Sequence, residues 1–184
     1  MAIISKKSIK RYKDVIIDKV WIFPNNVDTD VISPSQYLDN LEATLEHTGE
    51  NLIKEFPSQV KTGDIIVAGR NFGCGSSRET APAILQEKGI AAIVAESFAR
   101  IFYRSCFALA LPILEIHGIS KEFKMGDEIE INIPNAEVIN IKTGKKLKGK
   151  EIHPILLNLL KNGGLEKQLL DELKTESKNK NLIK

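Results

Sequence analysis

The stretch Gly69-Arg70-Asn71-Phe72-Gly73-Cys74-Gly75-Ser76-Ser77-Arg78-Glu79 places three glycines, two adjacent serines and an arginine in one turn. Those residue types suit the binding of an anion and chemistry upon it. Glycines let backbone amides come close to a ligand, amides at a helix start favour negative charge, and an arginine fork matches a carboxylate or a phosphate. Ser76 and Glu79 also fit a capping box, in which both side chains merely satisfy free helix amides. A cap, however, calls for neither Gly69, Gly73 and Gly75 nor a second serine beside Arg78. Pro82 lacks a donor and is best tolerated in a first helical turn, so regular helix is expected to begin no earlier than Arg78. That leaves Ser76 and Ser77 in the turn.

The common phosphate and nucleophile loops are excluded by spacing. A dinucleotide fingerprint needs a third glycine where Arg78 stands, and a Walker A loop needs Gly-Lys-Ser/Thr where Gly75 is followed by Ser-Ser-Arg. The nucleophile elbow G-x-S-x-G is absent. An unclassified phosphate site stays open.

The elements that must position this turn are readable on either side of it. Asp64 to Ala68 is an apolar, β-rich run short enough for a buried strand, and Ala81, Ile84 and Leu85 follow with helical spacing. A second β run, Ala91 to Ala95, leads into a helix around Phe98 to Phe107, and Leu111 to Ile116 is a third. Strand, helix, strand, helix, strand is the pattern of a parallel α/β layer. Upstream, Val15 to Phe23 reads as a strand stopped by Pro24-Asn25-Asn26, and Glu42 to Phe56 holds two loose helical patches around Gly49. After Gly118 the period changes. Glu128 to Ile133 and Val138 to Ile141 alternate, which predicts antiparallel strands with one wet face and a hairpin at Thr143-Gly144. Pro154 to Leu160 begins a terminal helix broken by Gly163-Gly164. The fold class is α/β, a parallel layer with antiparallel strands in the C-terminal half, in one domain over residues 1–174 with a polar, lysine-rich tail at 175–184.

Composition narrows the function classes. At 184 residues the chain can build one domain with a genuine core, and a net charge of +2 is too small to imply nucleic acid. No apolar run reaches the length of a membrane span. Two cysteines without a secretory pattern fit a reducing, cytoplasmic setting. The basic start, Lys6, Lys7, Lys10, Arg11 and Lys13, reads as a short solvated extension. Cys74 and Cys106 read as inert thiols, and His47, His117 and His153 lack metal-ligand spacing, so no metal is assigned to this chain.

The turn, followed by Gly89-Ile90-Ala91-Ala92-Ile93-Val94-Ala95-Glu96-Ser97-Phe98-Ala99-Arg100-Ile101-Phe102, closely resembles the small subunits, or swivel domains, of the aconitase superfamily. Among them the isopropylmalate dehydratase small subunits are most similar. Asn26-Val27-Asp28-Thr29-Asp30-Val31-Ile32-Ser33-Pro34 resembles the family's other signature, and the likeness runs from about Lys19 to about Leu160. The resemblance implies a swivelling β/β/α domain that closes over a large partner subunit carrying a 4Fe-4S cluster, as a heterodimer or heterotetramer. The implied reaction is dehydration and rehydration of a hydroxy-dicarboxylic acid. By motif position Ser76 is the base that takes a carbon-bound proton, Arg78 binds a substrate carboxylate with Ser77 and Gly75 beside it, and Asp30 and Asp28 support the site from behind.

That chemistry makes sense of the residue types. Removing a proton next to a carboxylate builds an enediolate that needs donors and cations fixed in advance. A serine acts as a base only in a strongly positive, dry setting. The departing hydroxyl calls for a Lewis acid, and two cysteines are too few for a cubane cluster, so a partner must bring it.

Substrate choice falls on the segment Gln36-Tyr37-Leu38-Asp39-Asn40. Citrate-type relatives carry an arginine after the aspartate signature to read an additional carboxylate, and none stands here. Tyr37, Leu38 and Asp39 are therefore the expected specificity loop, with an apolar branch such as isopropyl favoured and 2-isopropylmalate/3-isopropylmalate interconversion in leucine biosynthesis as the expected reaction. Thr80 stands where many relatives have histidine, which keeps open a paralogue acting on homoaconitate, dimethylmalate or citraconate. Two other classes are a stand-alone anion- or phosphate-binding module and a structural assembly subunit without catalytic residues.

Overall fold

The strand expected from Val15 to Phe23, β1, has those bounds and joins two differently built halves of one seven-stranded sheet. Its first half, Val15 to Lys19, pairs antiparallel with β5 (Glu128–Asn132). Its second half, Val20 to Phe23, pairs parallel with β2 (Ile65–Ala68). The parallel half continues through β3 (Ala92–Ala95) to β4 (Ile113–Glu115), and the antiparallel half through β6 (Glu137–Asn140) to β7 (Lys146–Lys148). The computed structural model describes residues 12–76 and 80–181, with side chains of the last helix as far as Thr175. Lys6, Lys7, Lys10 and Arg11, the residues Ser77, Arg78 and Glu79, and the end of the tail from residue 182 lie outside that description.

The two halves have the burial that their sequence patterns predict. Every residue of β2 and β3 is buried, because helices cover that layer, and both strands are unbroken apolar runs. β5 and β6 alternate instead, with Ile129, Ile131 and Val138 in the core. The helices are α1 (Thr29–Ile32), α2 (Leu41–His47), α3 (Phe56–Gln59), α4 (Thr80–Glu87), α5 (Arg100–Ala108), α6 (Pro154–Asn162) and α7 (Leu165–Asn181). Of the two helical patches expected around Gly49, the first is α2, whereas the second forms turns and becomes helical only from Phe56. Gly163-Gly164 separates α6 from α7 as expected, and α7 extends across most of the segment read as a polar tail.

Aromatic rings tie the parallel half to the turn above it. Trp21 and Phe23 both meet Phe56 edge-on at 5.1 Å, Phe23 meets Phe72 at 6.1 Å, and Phe72 meets Phe102 of α5 at 5.4 Å. Phe72 is a member of the glycine turn and is fully buried. Burying such a ring is worth about 1.5–3 kcal/mol, so the turn is anchored to the core from its middle.

Candidate active site

Among the described residues, Asp28, Cys74, Gly75 and Ser76 lie together beyond the ends of β1 and β2, the edge of a parallel layer at which ligands commonly bind. Backbone pairing continues past the strands. Gly69 N–H donates to Phe23 O, Asn26 N–H to Arg70 O at 2.8 Å, Gly73 N–H to Val27 O at 2.8 Å, and Thr29 N–H to Cys74 O at 2.9 Å. Side chains reinforce this seam. Asn25 Oδ1 accepts from Arg70 N–H at 2.7 Å, and Asn71 Nδ2 donates to Asn26 Oδ1 at 3.0 Å. Asn26 and Asn71 both have left-handed backbones, φ 56° and 58°, which asparagine tolerates better than most residues. On its other side the turn is stitched to the start of α5, with Phe72 N–H on Ser97 O at 3.0 Å and Ala99 N–H on Phe72 O at 2.9 Å.

Asp28 stands at the centre of the seam. Its Oδ1 accepts from Asp30 N–H at 2.7 Å, capping α1, which is the turn-making role an aspartate in such a loop can have. Its carboxylate also lies against Gly75, at φ 89°, in the space where any side chain at that position would begin. Gly73, at φ 77°, is covered in the same way by the Phe102 ring. These two glycines are required both by their backbone and by what touches them.

Ser76 is exposed at the rim, and its carbonyl accepts from the hydroxyl of Thr29 at 2.9 Å. Asp30 is exposed one residue further on. Tyr37 and Leu38 are half-buried and Asp39 is exposed, in a turn following the buried Ser33. The Tyr37 ring stacks on His47 of α2 at 4.1 Å, and His47 Nδ1 lies 2.7 Å from Glu50 Oε1. The Thr44 hydroxyl is shared between Tyr37 O and Asn40 O at 2.6 and 2.9 Å, so α2 holds the Tyr37–Asn40 loop along its whole length. Thr80, at the start of α4, accepts from the Ser33 hydroxyl at 3.4 Å.

The thiols are poor nucleophiles here. Burial, and then the nearby Asp28 carboxylate, push the Cys74 thiol above its ordinary range, and complete burial pushes Cys106 well above it. Among the described residues no cluster of His, Cys, Asp or Glu is arranged to hold a metal ion. His153 instead caps α6, and His117 sits at 3.6 Å from Glu96. A cleft lined by Tyr12, Asp18, Gly63, Gln86, Ala110 and Pro112 opens at the opposite end of the layer, where β2, β3 and β4 begin. The seam lies at the other end of the layer, with Gly75 and Ser76 exposed. Sequence reasoning overlooked Thr29, Thr44 and His47 as supports of the site. Thr29 stood inside a quoted signature, but no local pattern marks a threonine as bonding to a carbonyl 47 positions away.

Comparison with known proteins agrees with this fold. The Aconitase C-terminal domain family matches residues 7–117. A 3-isopropylmalate dehydratase small subunit from Thermodesulfovibrio yellowstonii is 48% identical over 149 residues, 80% of this chain and 89% of its own. An isopropylmalate/citramalate isomerase small subunit from Methanocaldococcus jannaschii is 46% identical, covering 83% and 92%. The crystal structure of a 3-isopropylmalate dehydratase from the same archaeon superposes with a TM-score of 0.83 at 36% identity, covering 90% of this chain and 99% of that one.

Proposed function

Since this chain belongs to the Aconitase C-terminal domain family, we propose that it is the small subunit of a cytoplasmic hydro-lyase interconverting 2-isopropylmalate and 3-isopropylmalate, active only with a large iron–sulfur subunit. The observation that carries the reading is the bonding of the two signature loops to one another, Asp28 beside Cys74, with Ser76 exposed at their junction. An exposed junction suits a half-site that a partner completes. In this role Ser76 takes the proton from the carbon next to a carboxylate. Arg78, with Ser77 and the Gly75 turn, binds that carboxylate and offsets the charge that develops. Asp28 fixes the turn, and Asp30 stands beside it.

The chain's own donors do not fit a cubane cluster, since it has two cysteines where three or four thiolates are needed and Cys106 is fully buried. The Lewis acid for the departing hydroxyl is assigned to the partner. Tyr37, Leu38 and Asp39 select the branch of the substrate, and the absence of a cation among them favours an apolar one.

The relative named for both isopropylmalate and citramalate favours a second reading, in which the branch is methyl. An anaerobic assay of this chain reconstituted with its large subunit, run on isopropylmalate, citramalate, dimethylmalate, homoaconitate and citrate, separates them. The expected result is highest kcat/KM for isopropylmalate and none for citrate. Preference for citramalate would replace the substrate, and nucleotide or phosphate binding without turnover would replace the reading with a binding module.

A further inference from the structure

We infer that Thr29 is a positioning residue that sets the pose of Ser76. This rests on the proposed role of Ser76 as the base. Thr29 is 1% exposed, at the first position of α1, and it reaches the glycine turn with two donors. Its N–H donates to Cys74 O at 2.9 Å, and its hydroxyl donates to Ser76 O at 2.9 Å. One residue thus holds both ends of the Cys74-Gly75-Ser76 tripeptide.

The arrangement is directional. Asp28, the preceding residue, fills the space beside Gly75, so the middle of the tripeptide is pressed by a carboxylate while its two ends are held by Thr29. The Cys74 contact extends the backbone ladder, and any residue but proline could make it. The Ser76 contact requires a hydroxyl. A serine on an exposed rim keeps several rotamers and its peptide can tilt, and a displacement of about 1 Å at a reacting group costs up to about 100-fold in rate. Fixing the peptide of Ser76 through its own carbonyl removes that tilt without touching the reacting oxygen.

The test compares substitutions that separate the hydroxyl from the methyl group, each in the complete complex with the large subunit. Thr29→Val keeps the shape and loses the donor, whereas Thr29→Ser keeps the donor and loses the methyl. The inference predicts that kcat falls about 10- to 100-fold in Thr29→Val with KM within about twofold, and that Thr29→Ser keeps most of the wild-type kcat. Melting temperature should follow the opposite order, tracking the methyl group. Should Thr29→Val not assemble, Thr29→Ser against Thr29→Ala repeats the comparison, since those two differ in the hydroxyl alone. Equal kcat with and without the hydroxyl, or a loss of rate that merely follows the loss of stability, overturns the inference. Ser76→Ala in the same complex keeps the two claims apart. If it retains activity the role of Ser76 fails, and if it is inactive while Thr29→Val is normal only the role of Thr29 fails.

Discussion

Gly75 shows how tightly the candidate site is specified at the level of single residues. A Cβ there would demand an unfavourable left-handed backbone and would run into the Asp28 carboxylate. Gly75→Ala should therefore cost about 1–3 kcal/mol in thermal unfolding and reduce turnover more than substrate binding. An unchanged melting curve and rate would show that the turn is not held by Asp28. Cys74 reports on the same carboxylate. With its thiol pushed up by burial and by Asp28, little thiolate exists at pH 7, so alkylation by iodoacetamide should be slow and should rise only above the ordinary thiol range. Asp28→Asn removes one of the two causes and should speed labelling at a given pH. Fast labelling of the native protein at pH 7 would contradict this.

At the scale of elements, the connection after β4 is fastened to the end of β3 by Glu96. Its side chain is 10% exposed and accepts from Gly118 N–H and Ser120 Oγ at 2.8 Å and from Ser120 N–H at 3.3 Å, with His117 nearby. Burial alone would raise this carboxyl, but those donors and His117 outweigh it and hold the pKa below the usual carboxylate value. A carboxyl depressed in the folded state contributes stability that is present above its unfolded pKa and lost as pH falls through its folded pKa. Wild type should thus exceed Glu96→Gln by about 1–3 kcal/mol at neutral pH, with the difference vanishing in acid. Urea titrations across pH read this directly, and a difference that persisted below the folded pKa would refute it.

The elements were largely legible because their patterns are local. The period of two in Glu128 to Ile133 and the unbroken apolar runs at 65 to 68 and 92 to 95 state how many faces each strand buries. What β1 does was not legible in the same way. Alternation says that Val15 to Phe23 is a strand, but not that its first half faces β5 and its second half β2, which depends on partners more than 40 residues away. Ser76 is a candidate because glycines and charges crowd around it, and Asp28 and Asp30 are candidates because they lie in a recognisable signature. Thr29 has no local mark because its hydroxyl bonds a carbonyl 47 positions away, whereas Thr44 and His47 act on nearby Tyr37 through a backbone carbonyl and a ring stack that no residue pattern signals.

The molecule as a whole presents an open seam at one end of its parallel layer, with the glycine turn and the aspartate loop bonded together and Ser76 at the rim. That form fits the proposal that the chain contributes residues to a site shared with a partner. The relatives are small subunits by name, and the chain spans most of their length. The most direct measurement is the anaerobic turnover of 2-isopropylmalate by the large subunit reconstituted with wild-type or Ser76→Ala small subunit, beside each subunit alone. We expect neither subunit alone to turn over substrate, and the substituted pair to assemble but to be slower than the wild-type pair by roughly 100- to 10,000-fold. A substituted pair as fast as wild type, or a large subunit that needs no small one, would contradict the account.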